Sequence, residues 1–168
     1  MTTITRRPRR LLLSFALGAI ATLAPFLASA APHAGDTAPA FSLPKATGGT
    51  LSLTQYRGKP MYLNFFASWC GPCNSEAATV AQLYAKYHRR GLATIGVNEQ
   101  EDKTKAIDFA HTYKWPFAIG LDDGNMGREY GAIGLPIHVF IDKAGKVSTY
   151  RLGEMERSEI EDAIKKIL

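Results

Sequence analysis

Cysteine is scarce in this chain: 168 residues contain two, Cys70 and Cys73. So few exclude a disulfide-stapled scaffold and leave no second cysteine pair to complete a structural zinc site. Acidic residues are missing from the first 30 positions, where Arg6, Arg7, Arg9 and Arg10 stand. The formal charge of +5 rests on those four arginines; without residues 1–30, 16 basic residues face 15 acidic ones, a net of +1. That balance argues against a nucleic-acid-binding face. Repeats and low-complexity tracts are absent too. With 46% hydrophobic and 21% charged residues, the chain suits one globular domain rather than a disordered segment or an array.

The leader holds what charge excess there is. Arg6 to Arg10 form a positive n-region, Leu11 to Ala31 carries no charge, and Ala28-Ser29-Ala30 supplies small residues for a secretory cleavage site. Residues 1–30 read as a signal peptide, with Ala31 as the new N-terminus. The rival is an uncleaved anchor, since roughly 20 apolar residues can cross a bilayer; Pro25 and the small-residue exit favour cleavage. Both readings place the domain outside the cytoplasm, in a periplasm, with 31–37 as a linker and 38–168 as the folded domain.

Along that domain, segments 41–43 and 50–53 flank Gly48-Gly49, a β-hairpin signal. Segment 61–67 is a β-rich apolar run suited to a central strand. A helix over 72–90 follows, with an apolar stripe of Ala77, Val80, Ala81, Leu83, Tyr84 and Tyr87 and with Gly91 as its stop. The pattern then predicts a strand over 93–97, a helix over 103–113, a strand over 117–121 and a short helix over 126–130. Strands 137–141 and 146–152 pair about Gly145. The last helix carries Ile160, Ala163, Ile164 and Ile167, with Ser158 and Glu161 as its capping box. Strands alternating with helices, then a hairpin and a helix, make an α/β domain with a mixed central sheet flanked by helices.

The chemistry concentrates at Trp69-Cys70-Gly71-Pro72-Cys73, where a strand passes into a helix. Cys70 falls at the helix N-terminus, where free backbone N–H groups and the positive dipole end favour thiolate over thiol. Lowering a cysteine pKa from about 8.5 to about 7 corresponds to about 2 kcal/mol of preference for the anion, the nucleophile in disulfide exchange. Cys73 lies one turn on along the same face, placed to resolve a mixed disulfide on Cys70. A structural zinc site lacks two ligands, with His33 out in the linker, and a purely structural disulfide closing so small a loop contributes little. Redox function is the stronger reading.

From about Asp36 to Leu168 the chain resembles the thioredoxin superfamily, and within it the TlpA-like exported thiol–disulfide oxidoreductases related to cytochrome c maturation reductases. The matching residues are Asn64-Phe65-Phe66-Ala67-Ser68-Trp69-Cys70-Gly71-Pro72-Cys73, Glu76, Gly134-Leu135-Pro136, and Phe140-Ile141-Asp142 with Gly145. The resemblance implies a thioredoxin fold with an N-terminal β-hairpin and an inserted strand–helix segment. It implies a redox-active Cys70–Cys73 pair, exposed nucleophile first and buried partner second, in place of any cofactor or metal. It also implies a cis Pro136 facing the cysteines, with Trp69, Leu135 and Pro136 meeting the substrate. Gly71-Pro72 is the thioredoxin dipeptide, and Asn64 aligns with the buried aspartate of cytosolic thioredoxins; both would tune the pair. Glu76 matches an acid the family associates with moving protons near the buried cysteine. Read without the family, Glu76 is an exposed acid in a first helical turn and Asn64 a hydrogen-bonded core amide.

Two residues depart from the family. Ala78 stands where many relatives have a helix-kinking proline. His138 stands where a small hydroxyl residue is common, and reads as a satisfied interior histidine. The implied function is reduction of disulfides in exported proteins, such as apocytochromes c or copper-site proteins. The enzyme would be a monomer, recharged by a membrane electron donor. Two alternatives carry less. A thiol peroxidase is suggested by Ala38-Pro39-Ala40-Phe41, but Ala67 stands where Thr-X-X-Cys needs threonine. A copper carrier using both cysteines and His138 is poorly served by the intervening proline.

Overall fold

In a computed structural model of the chain, the described residues are 1–3 and 30–168. Residues 4–29 of the leader, with Ala28 and Ser29 of its expected cleavage site, lie outside them. Two short strands, β1 (Ser42–Pro44) and β2 (Thr50–Ser52), form the antiparallel hairpin. The main sheet holds β3 (Met61–Phe66), β4 (Ala93–Glu99), β5 (Ala118–Asp122), β6 (Ile137–Ile141) and β7 (Val147–Leu152), in the order β5-β4-β3-β6-β7. Strands β3, β4 and β5 run parallel, while β6 is antiparallel to both β3 and β7. The helices are α1 (Gly71–Tyr87), α2 (Lys103–Thr112), α3 (Asn125–Glu129) and α4 (Arg157–Ile167). This is a thioredoxin fold carrying an N-terminal hairpin and an inserted strand–helix segment.

All six residues of β3 are buried, as a central strand between two layers requires. Alternation sends Tyr62, Asn64 and Phe66 to one face and Met61, Leu63 and Phe65 to the other. On the first face Val80, Leu83, Phe109, Ile160 and Ile164 of α1, α2 and α4 gather over Phe66 and Phe140. On the second, Leu43, Leu51, Met126 and Tyr130 of the hairpin and α3 region cover Leu63, Val97 and Val139. Gly96 permits a close approach: a Cβ there would stand 2.8 Å from the Trp115 ring and 3.1 Å from Phe66.

Two expectations are corrected at element ends. Helix α1 stops at Tyr87, and His88–Arg90 tighten into a 3-10 turn before Gly91, which adopts φ 97°. Helix α4 begins with Glu156 as its N-cap, whose N–H donates to Glu159 Oε2 at 2.8 Å, two residues before the Ser158 box. Glu161 instead accepts from Lys86 Nζ at 2.5 Å and Tyr87 Oη at 2.6 Å, tying α4 to α1. The segment 31–37, expected as a linker, hydrogen-bonds to the start of β7 and the turn before it. Gly35 N–H donates to Val147 O at 2.8 Å, Val147 N–H to Asp36 O at 2.9 Å, and Ala38 N–H to Gly145 O at 3.0 Å. The backbone there meets its hydrogen-bonding needs on the edge strand β7.

Candidate active site

Cys70 and Cys73 are joined in a disulfide, their Cα atoms 5.2 Å apart. Cys70 is the N-cap of α1, with extended backbone at φ −78° and ψ 107°, and Gly71 and Pro72 open the helix. Proline is tolerated there because its missing N–H has no helical partner to lose. The backbone N–H of Cys73 points at Cys70 Sγ at 3.2 Å, so a thiolate at Cys70 would meet both a donor and the positive helix end. In the oxidised form the expected contrast in exposure is nearly absent, with Cys70 4% and Cys73 2% exposed. Trp69, beside them, is 71% exposed.

The loop leading into the pair is held from two sides. Glu101, just past β4, accepts from Ser68 N–H at 2.7 Å, Ser68 Oγ at 2.6 Å and Asn98 Nδ2 at 2.9 Å. Partial burial works to raise the Glu101 carboxyl, but the hydrogen bonds from Ser68 and Asn98 outweigh it and hold the group below its ordinary value. Asn74 Nδ2 donates to Ser68 O at 3.0 Å and Cys70 O at 2.7 Å, and Asn74 Oδ1 accepts from Tyr113 Oη at 2.7 Å. Sequence reasoning missed both residues. The signal for Glu101 was available: parallel neighbours end on the same side of a sheet, so the end of β4 must lie beside the end of β3, which leads to Cys70.

Glu76 is 4% exposed, which corrects the alternative reading of it as a surface acid. Its Oε1 accepts from Asn64 Nδ2 at 3.1 Å, and its Oε2 accepts from Met155 N–H at 3.3 Å. His138 Nε2 also faces Oε2 at 3.3 Å, within ion-pair distance though off the line of a hydrogen bond. Asn64 Nδ2 reaches Tyr62 Oη at 3.3 Å, and Tyr62 Oη meets His138 Nδ1 at 2.7 Å. Burial first, then the neighbouring Glu76 charge, pushes the Tyr62 phenol well above its ordinary value, so it keeps its proton. Asn64 is thus a bonded core amide and a neighbour of Glu76 at once.

The Leu135–Pro136 peptide is cis, as the resemblance implies. Trp69, Glu99, Gln100, Ala132, Gly134 and Leu135 line a cleft that brings the residue before the cysteines together with the loop before β6. Ile133 on that loop is 88% exposed. Glu99 is a third residue that sequence reasoning missed. Burial, then the charge of Asp122, pushes its carboxyl up to about 8. Asp122 accepts from Met126 N–H at 2.9 Å and Gly127 N–H at 2.7 Å. Among the described residues no cluster of three or more side chains is grouped to hold a metal ion. No helix among them is long and apolar enough to cross a membrane.

Comparison with known proteins agrees with this geometry. The sequence profile of the AhpC/TSA family matches residues 34–150. The chain is 34% identical over 134 residues to the thiol-disulfide oxidoreductase ResA of Bacillus thuringiensis subsp. konkukian (strain 97-27), covering 79% of this chain and 78% of that one. It is 35% identical over 158 residues to ResA of Geobacillus thermodenitrificans (strain NG80-2), covering 94% and 91%. Among solved structures, a thiol:disulfide interchange protein of the thioredoxin family from Chlorobium tepidum TLS superposes with a TM-score of 0.72 at 26% identity. That alignment covers 82% of this chain and 99% of the other.

Proposed function

This chain belongs to the ResA-like thiol–disulfide oxidoreductases of the thioredoxin superfamily, and from that premise we propose that it works in the reducing direction on exported proteins. The Cys70–Cys73 pair is its redox centre. The observation that carries the reading is the placement of Cys70 at the N-cap of α1, with the Cys73 N–H on its sulfur and exposed Trp69 alongside. In the proposed cycle the Cys70 thiolate attacks a substrate disulfide, forming a mixed disulfide and releasing the first substrate thiolate. Cys73 then gives up its proton, which Glu76 takes, and attacks Cys70 Sγ. The second substrate thiolate leaves, and two electrons have passed from the pair to the substrate. Trp69, Leu135 and Pro136 meet the substrate segment, and Asn64, Gly71 and Pro72 tune the pair.

We infer the direction from the lack of positive charge in the sequence flanking Cys70. No Lys, Arg or His lies between Tyr62 and Lys86. A strong oxidant needs its thiolate stabilised well beyond what one helix end supplies. The Gly71-Pro72 dipeptide is that of thioredoxin, at about −270 mV against about −120 mV for DsbA, a difference of about 7 kcal/mol for two electrons. A reductant in an oxidising compartment must be recharged, hence a membrane electron donor and a periplasmic location. Disulfides in apocytochromes c or copper-site proteins are the substrates we infer, in line with the cytochrome c maturation reductases the sequence resembles. Redox titration against glutathione should give a potential below about −180 mV; a higher value turns the reading to oxidase or isomerase. A Cys73→Ser variant should hold substrates as mixed disulfides on Cys70, and their recovery identifies the substrates. Preferential alkylation of Cys73 in the reduced wild type would reverse the order of the two cysteines.

A further inference from the structure

His138 has no part in the exchange described above, yet it closes a ring of polar contacts around Glu76, hydrogen-bonded from Glu76 through Asn64 and Tyr62 to His138 and completed by Nε2 at ion-pair distance from Glu76. Asn64 Nδ2 can only donate, and it reaches both Glu76 Oε1 at 3.1 Å and Tyr62 Oη at 3.3 Å. Tyr62 Oη has one hydrogen, and with Asn64 donating to its oxygen that hydrogen goes to His138 Nδ1 at 2.7 Å. Nδ1 therefore accepts, the imidazole hydrogen sits on Nε2, and Nε2 faces Glu76 Oε2 at 3.3 Å. All four members are 4% exposed or less. Their position follows from the elements that carry them. His138 is the register partner of Asn64 across β3 and β6, and it stands two residues past Pro136. Glu76 lies one turn beyond Cys73 on α1.

We propose that His138 is a positioning residue for Glu76: its Nε2 holds the second carboxylate oxygen in place, so that Glu76 receives the Cys73 proton in a site closed to water. This rests on Glu76 being the acceptor. In the resolving step the proton moves from Cys73 Sγ to Glu76, the Cys73 electron pair forms the bond to Cys70 Sγ, and the Cys70–substrate bond breaks. The substrate sulfur departs with that bond's pair as a thiolate. A protonated carboxyl keeps enough lone pairs for Asn64 to remain bonded with His138 Nε2 beside it. Among the described residues the other charged groups near His138 turn elsewhere. Arg151, its register partner on β7, is exposed with Glu159 at 4.0 Å. Glu154 and Glu156, either side of Met155, are exposed, and α4 turns Ile160, Ala163 and Ile164 to this layer.

Stopped-flow reaction of the reduced protein with the aromatic disulfide DTNB separates the steps, because the first thionitrobenzoate is released when Cys70 attacks DTNB and the second when Cys73 attacks Cys70 Sγ. Profiles are taken from about pH 5 to about pH 9. In His138→Leu the first phase should be unchanged. The second should slow about tenfold near neutrality, equivalent to about 1.4 kcal/mol, with its pH midpoint displaced by about half a unit. His138→Gln, whose amide can donate to Glu76, should recover most of the rate. A His138→Leu second phase matching the wild type, while Glu76→Gln changes it, overturns the proposal and leaves Glu76 as acceptor. A Glu76→Gln profile matching the wild type removes both. If the leucine variant does not fold, nitrogen-15 spectra of the wild type decide: Nε2 of His138 must carry the hydrogen, and a hydrogen on Nδ1 overturns the ring.

Discussion

Glu99 and Glu101 stand two residues apart at the end of β4 and meet opposite environments. Glu101 is wrapped by Ser68 and Asn98 donors that hold it ionised. Glu99 is packed against Asp122 and against Gly127, where a Cβ would come within 2.8 Å of its carboxylate, and it is raised to about 8. Between the ordinary carboxylate value and about 8, the folded chain therefore holds a proton at Glu99 that the unfolded chain has released. Stability from this group is full at low pH and is lost as pH rises through that window. Glu99→Gln should flatten that fall and leave the variant more stable than the wild type above pH 8, read by urea unfolding at two pH values; equal curves would refute the pairing. Glu101→Ala has the opposite sense. It strands the Ser68 N–H, should cost about 2 kcal/mol, and should raise amide exchange at Ser68 and Trp69.

At the scale of elements, the inserted segment is joined to the rest through Trp115. Its Nε1 donates to Ala77 O of α1 at 2.8 Å, and its ring lies 4.8 Å from Phe66 and 5.1 Å from Phe109, both edge-on. This side chain spans helix α1, strand β3 and helix α2, so the insertion and the cysteine-bearing helix share one packing unit. Trp115→Phe keeps much of the apolar contact and loses the hydrogen bond, an expected cost of about 1–2 kcal/mol. Gly96→Ala drives a methyl group at the indole and should cost about 1–3 kcal/mol through overpacking. Both are measurable as shifts in denaturation midpoint, and an unshifted Gly96→Ala would mean that Trp115 does not lie on β4 as described.

For the whole molecule, redox state and folding form one thermodynamic cycle. If the folded chain is a reductant, it prefers its disulfide, and the oxidised protein gains about 1.4 kcal/mol over the reduced one for each ~30 mV that the folded potential lies below the unfolded one. The oxidised form should therefore unfold at higher urea concentration than the dithiol form. A more stable dithiol form would mark an oxidant, as with DsbA.

Much of this protein was settled by local sequence. The run 61–67 into Cys70-Gly71-Pro72-Cys73 specifies a buried strand delivering a cysteine to a helix start, because apolar period, proline tolerance and the N-terminal dipole all act within a few residues. Element order and the mixed sheet followed from the same short-range patterns. Ends were less legible: Ser158 and Glu161 read as the capping box of α4, but the helix starts earlier, on the box that Glu156 forms with Glu159. What only the tertiary structure decided is who meets whom across the sheet. His138 reads as an interior residue from its strand, but that its Nε2 faces Glu76 depends on β6 lying antiparallel beside β3. Glu99 reads as a polar residue at a strand end; its unusual affinity for a proton arises because the fold buries it and β5 then sets the Asp122 charge beside it.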